Sequence, residues 1–163
     1  PELGVNQHMF EALQSHQFLY DASTVSTYKG GTEYWPAKNQ YGIWELPLGI
    51  LNLKMGVGSS EKTKRVLGMD YTLFVQQTGG HSTAKKGSAL WNRLYKQTYD
   101  AYMEYFNRNY TSERAPIYMA NHFSLWNDGV YWQVMQDVSK EVCGKPKVVR
   151  GTYKDVVNYM EGK

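Results

Sequence analysis

From residue 116 onward the chain alternates between two hydrophobic periods, and no other feature limits its fold as much. The apolar run at 116–121 reads as a strand. Residues 127–142 carry Val134, Val138 and Val142 at helical spacing, 146–150 reads as a second strand, and 153–161 as a second helix with Thr152 and Asp155 set as a capping pair. Strands alternating with helices predict parallel βα units, because a parallel crossover needs a helix-length connection. Upstream, Asn6 is placed to cap a helix over "QHMFEALQSH", and Ser88 to cap a long one whose stripe is Leu90, Leu94, Thr98, Ala101 and Tyr105. Strands are expected at 18–20, at 42–50 with Pro47 at an edge or end, and at 67–77. Residues 28–40, with Trp35-Pro36 inside them, and the stretch "VGSSEKTKR" read as surface loops. The expected fold class is α/β, one domain over 1–163. Four or five strands are too few to close a (β/α) barrel of about 250 residues. Either the sheet is open or part of a barrel lies elsewhere.

Composition narrows the function. Charged residues are 20% and apolar residues 42% of the chain, a globular balance. The net charge is only +3 and the basic residues are scattered, "EKTKR" being their densest patch, so no nucleic-acid partner is expected. No apolar run reaches the length of a membrane span. The single cysteine, Cys143, rules out an internal disulfide and reads as a small buried hydrophobe on a helix. Aromatics are 15% of the chain, including 14 Tyr and 5 Trp, more than a core requires. Flat apolar rings with polar tips are suited to stacking on sugars.

Chemistry concentrates in "RAPIYMANHFSLWNDGVYW" (114–132), where a strand delivers Asn121 and His122 to its end among Phe123, Trp126, Tyr131 and Trp132. Strand ends followed by helices are where open sheets and α/β barrels put their chemistry. His122 is therefore a candidate general acid or base, against the plainer reading of a histidine satisfied by a nearby carbonyl. His8 and His16 lie about 12 Å apart along one helix, too far to share a metal, and His81 reads as an exposed loop residue. The chain has no HxxxH, HxxH, paired cysteines or Asp-Asp, so a metal site within it is not expected, and no GxSxG elbow. "GVGSS" lacks the GK[ST] of a phosphate loop and reads as a turn. Asp21, Glu45 and Asp70 stand at strand ends or beside aromatics, and any of them could pair with His122.

Taken together, "PELGVNQHMFEALQSHQFLYDAS", "GIWELPL" and "IYMANHF" resemble, in order and spacing, the second half of a polysaccharide deacetylase domain, the NodB-homology family or carbohydrate esterase family 4. The opening looks like the tail of that family's R-x-P motif. Phe18, Tyr20, Asp21 and Ser23 match its "F-x-YD-S-S" phrase, with Ala22 replacing the first serine, and His122 matches the histidine that ends its fifth motif. The resemblance implies a deformed (β/α) barrel that removes acetyl groups from N-acetylated amino sugars of a polysaccharide such as peptidoglycan or chitin. It implies a divalent metal, usually zinc, that polarises the acetamide and activates water. His122 would be the acid that protonates the departing amine, the Glu2 backbone N–H would help hold the oxyanion, and Asp21, Glu45 or Asp70 would tune the acid. Trp35, Trp44, Tyr71 and Trp126 become candidates for sugar stacking.

The departures are large. The family's Asp-Asp and H-x-x-x-H motifs, which carry the base and the metal ligands, are missing, and the R-x-P arginine would precede Pro1. The chain thus looks like the C-terminal part of the domain, with metal ligands outside it. It is expected to pair with the missing half of the barrel or with a copy of itself, since an isolated half-barrel exposes strand edges. The resemblance also implies an extracellular or periplasmic location. A non-catalytic carbohydrate-binding domain is the alternative that fits the aromatics.

Overall fold

In the computed structural model, which describes residues 6–25, 35–56 and 58–163, Asn6 opens the first helix as expected. Its side chain accepts the Met9 N–H at 3.0 Å, and α1 runs Gln7–Ser15. Glu2 and most of the expected 28–40 loop lie outside the described residues. Three two-residue strands follow: β1 (Tyr20–Asp21), β2 (Ala37–Lys38) and β3 (Trp44–Glu45). They form a sheet in the order β1-β3-β2, with β1 parallel to β3 and β2 antiparallel to it.

The strand expected over 42–50 is split. β3 ends at Glu45, and the chain resumes as β4 (Ile50–Met55) beyond Pro47, which has no N–H to give a ladder. β4 pairs antiparallel with β5 (Lys62–Leu67), so half of the expected "VGSSEKTKR" loop is a strand. Its residues Lys62–Arg65 are exposed, and a charged outer strand has the composition of a loop while its backbone joins a ladder. The turn between them requires Gly56, whose φ is +92° and whose missing Cβ would run into the Ser60 carbonyl.

The strand expected over 67–77 is the clearest correction. β5 stops at Leu67, and α2 spans Asp70–Thr78. The buried positions of α2 are Asp70, Leu73 and Phe74, an i, i+3, i+4 set, and Asp70 sits in the first turn where a negative charge suits the helix dipole. Gly79 at φ 63° ends it.

Ser88 accepts the Trp91 N–H and starts α3 (Ala89–Tyr110), as its stripe predicts. Trp91, Leu94, Ala101, Tyr102, Tyr105 and Phe106 pack against Leu51 and Leu53 of β4 and against Val130, Val134, Val138 and Val142 of α4 (Trp126–Cys143). Gly49 lets the ring of Tyr105 lie directly on its backbone. Cys143 is exposed, contrary to expectation, because Val142 takes the inward position at the end of α4. Residues 146–150 form a turn instead of a strand: Lys147 has φ 59° and the Val148 N–H bonds the Lys145 carbonyl. α5 (Tyr153–Met160) carries the expected capping box. Just past its end, Glu161 accepts from Trp44 Nε1 at 3.1 Å and pairs with Lys38 and Lys163. Lys163 first, then Trp44 and Lys38, hold its carboxyl down to about 2.

Helix and sheet are thus mixed as expected, without a closed barrel among the described residues. Among those residues no helix is long and apolar enough to cross a membrane.

Candidate functional site

The segment 116–121, expected as a strand, is irregular except for one isolated parallel bridge, Met69 to Ala120. The Asp70 N–H donates to the Ala120 carbonyl at 3.2 Å and the Ala120 N–H to the Gly68 carbonyl at 3.4 Å. This bridge places the ends of β5 and of the 116–121 segment side by side. One residue past the bridge on one strand is Asp70, and two past it on the other is His122.

Asp70 is the carboxylate that meets the histidine. It is 1% exposed, and Oδ1 stands 2.6 Å from His122 Nδ1. Oδ1 also accepts the Tyr71 N–H at 2.7 Å, and Oδ2 accepts the backbone N–H of His122 at 2.8 Å. An ionised carboxylate has only acceptors, so Nδ1 carries the proton and Nε2 is the free nitrogen. The His122 side chain is about half exposed, at 52%, and Nε2 has no partner among the described residues. The pair therefore holds a ring of fixed orientation and tautomer with one nitrogen offered to solvent, the arrangement of a general acid or base.

Aromatic rings flank the imidazole. Tyr71 and Trp126 stand edge-on to the His122 ring at 6.4 and 5.7 Å, and 5.6 Å from each other. Trp126 is itself stacked on Phe74 at 4.9 Å and 5°. Trp132 donates from Nε1 to the His122 carbonyl at 3.0 Å.

A left-handed turn sets Trp126 in place. Asn127, Asp128 and Gly129 have φ of 50°, 55° and 72° ahead of the regular part of α4. A left-handed conformation costs a non-glycine residue about 1–2 kcal/mol, and side-chain bonds offset it. Asn127, fully buried, accepts the N–H groups of Thr83 and Ala84 at 3.0 Å, while its own N–H donates to Ser82 Oγ. Asp128 accepts the Lys86 N–H at 2.9 Å and takes the Trp91 indole on its carbonyl. The 82–86 loop is thereby tied to the base of the site. Sequence reasoning misses Asn127, although the triplet Asn-Asp-Gly, the residues most tolerant of positive φ, is its signal.

Behind Asp70 lie Tyr102 and Tyr131, both buried in the core. Burial first, and the Asp70 charge after it, push both phenols well above their ordinary value, so they stay neutral.

The other sequence candidates are elsewhere. The Asp21 carboxylate accepts the N–H and hydroxyl of Ser23. Glu45 lies in β3 opposite Asp21 and Ala37. Trp35 donates to the Glu113 carbonyl and stacks on Tyr159, and Trp44 is bound by Glu161 and lies under the Lys38 ammonium. Neither tryptophan shares a partner with His122, and both belong to the neighbourhood of α5. His8, His16 and His81 are exposed.

Among the described residues no group of three His, Cys, Asp or Glu side chains could hold a metal ion. These side chains do not fit the divalent metal that the deacetylase resemblance implies, and none of the chemistry argued for them runs through one. Compared with protein-family models, curated proteins and solved structures, the chain matches none.

Proposed function

We propose that this chain is the C-terminal portion of a deformed (β/α) barrel whose site hydrolyses the N-acetyl group of amino sugars in a polysaccharide, such as peptidoglycan or chitin, outside the cytoplasm. The observation that carries the reading is the Asp70–His122 pair, with Nε2 directed outward among Tyr71 and Trp126. When a tetrahedral intermediate collapses, its C–N bond breaks and the amine leaves as a strong base unless a proton reaches it. His122 first takes a second proton at Nε2, its imidazolium then facing the Asp70 carboxylate, and delivers that proton to the amine, returning to the neutral ring with its N–H on Nδ1, while Asp70 keeps the ring oriented. Tyr71 and Trp126 receive the faces of the sugar ring, and the resemblance assigns the oxyanion donor to the Glu2 backbone N–H. The resemblance assigns the water-activating divalent metal, usually zinc in the family, and its base to residues outside this chain, on the missing half of the barrel or on a paired copy.

The test measures acetate release from an N-acetylglucosamine polymer by the assembly that supplies the metal ligands and the base, together with polymer binding, for the wild type and His122→Asn. The expected result is wild-type release that falls about 10²- to 10⁴-fold in the variant with binding retained. Binding by both proteins with no release by either supports the second reading, a carbohydrate-binding domain, which the exposed aromatic rings and the lack of a ligand trio among the described residues favour. Absence of both binding and release overturns the proposal.

A further inference from the structure

Phe123 has no task in the deacetylation chemistry. It follows His122 directly and is 97% exposed, the highest exposure of any large apolar side chain among the described residues. An isolated exposed leucine needs no explanation, but this ring stands beside a second aromatic one next to the candidate site. It stacks on Trp132 at 6.2 Å and 27°, and Trp132 is in turn pinned by its indole N–H to the His122 carbonyl. The backbone atom that anchors the pair thus belongs to the residue whose imidazole faces Tyr71 and Trp126. The site carries two aromatic platforms, Tyr71 with Trp126 flanking the imidazole and Phe123 on Trp132 beside it, joined through one residue.

The surroundings select the ligand chemistry. Residues 121–126 read Asn-His-Phe-Ser-Leu-Trp, with no formal charge apart from the titratable His122. The nearest acid along the chain, Asp128, has its carboxylate engaged by the Lys86 N–H. A flat, neutral, aromatic surface suits the C–H face of an uncharged pyranose and offers no attraction to a polyanion.

We infer that Phe123, supported by Trp132, binds a second sugar ring next to the one presented to His122, so that the site is built for an internal unit of a chain of neutral N-acetylated sugars. This rests on the reading of the site as one that handles amino sugars.

The test titrates the protein with N-acetylglucosamine and with its β-1,4-linked tetrasaccharide, following tryptophan fluorescence, for the wild type, Phe123→Ala and Tyr71→Ala. Phe123 buries almost nothing in the free protein, so its truncation leaves the fold intact, which a thermal melt checks. The expected wild-type preference is about five- to tenfold for the tetrasaccharide, the equivalent of one aromatic stacking contact. Phe123→Ala abolishes that preference with the monosaccharide affinity unchanged, whereas Tyr71→Ala weakens both ligands. If the wild type binds both ligands equally, or Phe123→Ala keeps the full preference, the inference falls and the deacetylase reading stands. Should the wild type bind neither sugar, both fall together. Protection of the Phe123 ring by another polypeptide, seen as self-association that Phe123→Ala abolishes, also overturns it.

Discussion

Replacing Asp70 by asparagine changes one oxygen to an amide nitrogen, and the geometry of the site sets the consequence. The two carboxylate oxygens face three N–H groups, at 2.6, 2.7 and 2.8 Å. An amide offers one acceptor oxygen. Placed at the Oδ1 position it keeps Tyr71 N–H and Nδ1–H, and its NH₂ then confronts the backbone N–H of His122. Turned the other way, it satisfies His122 N–H, strands Tyr71 N–H, and its NH₂ donates to Nδ1 with the ring proton moved to Nε2. Either orientation strands one backbone donor. Asp70 is 1% exposed, so water does not replace the lost acceptor. One stranded donor costs about 1–3 kcal/mol, and the surviving bonds lose their charge assistance. The expected total is about 3 kcal/mol, which for a domain of this size lowers Tm by about 6–12 °C. Calorimetry checks the magnitude, and amide hydrogen exchange checks its origin, since either the His122 or the Tyr71 amide should lose protection more than its neighbours. A variant that melts within about 2 °C of the wild type, or whose His122 and Tyr71 amides both stay as protected, would refute the bonding scheme on which the site is built.

Two other predictions concern the frame around the site. Glu161 has a folded value of about 2, held down by Lys163, Trp44 and Lys38; a depressed carboxyl contributes stability above its unfolded value and loses it as pH falls. Melts between pH 5 and pH 2 should therefore show a steeper loss for the wild type than for Glu161→Gln, and parallel curves would count against that network. Asn127→Ala removes the acceptor for the Thr83 and Ala84 N–H groups, one of them fully buried, and should cost about 2–4 kcal/mol. Limited proteolysis should then cut within 82–86, and an unchanged cleavage pattern would mean that the loop is held by something else.

The parts legible in the sequence are those where one local signal suffices. α1, α3 and α5 each open on a capping side chain in the expected place, at Asn6, Ser88 and Thr152. His122 is legible because an apolar run ends on it. The choice among Asp21, Glu45 and Asp70 is not, because it depends on a bridge between Met69 and Ala120 that no local pattern encodes. "MDYTLFV" reads as a strand on its aromatic and β-branched content, but its buried residues follow the helical period. Trp35 and Trp44 suggest stacking residues by type alone. Their polar tips are engaged instead by Glu113 and Glu161, which lie 78 and 117 residues away along the chain. Positions such as these are decided by tertiary partners, which composition cannot rank.

The bridge that creates the pair also dates it. Asp70 and His122 are 52 residues apart, with α2 and all of α3 between them, so their meeting closes a long loop whose entropy must be offset before either side chain gains a partner. Local contacts form first in such a chain, and distant ones wait for docking. The two side chains of the pair are thus among the last neighbours to find each other during folding. A folding intermediate with both helices formed and the bridge open would look nearly native by circular dichroism and would hold no oriented imidazole at all.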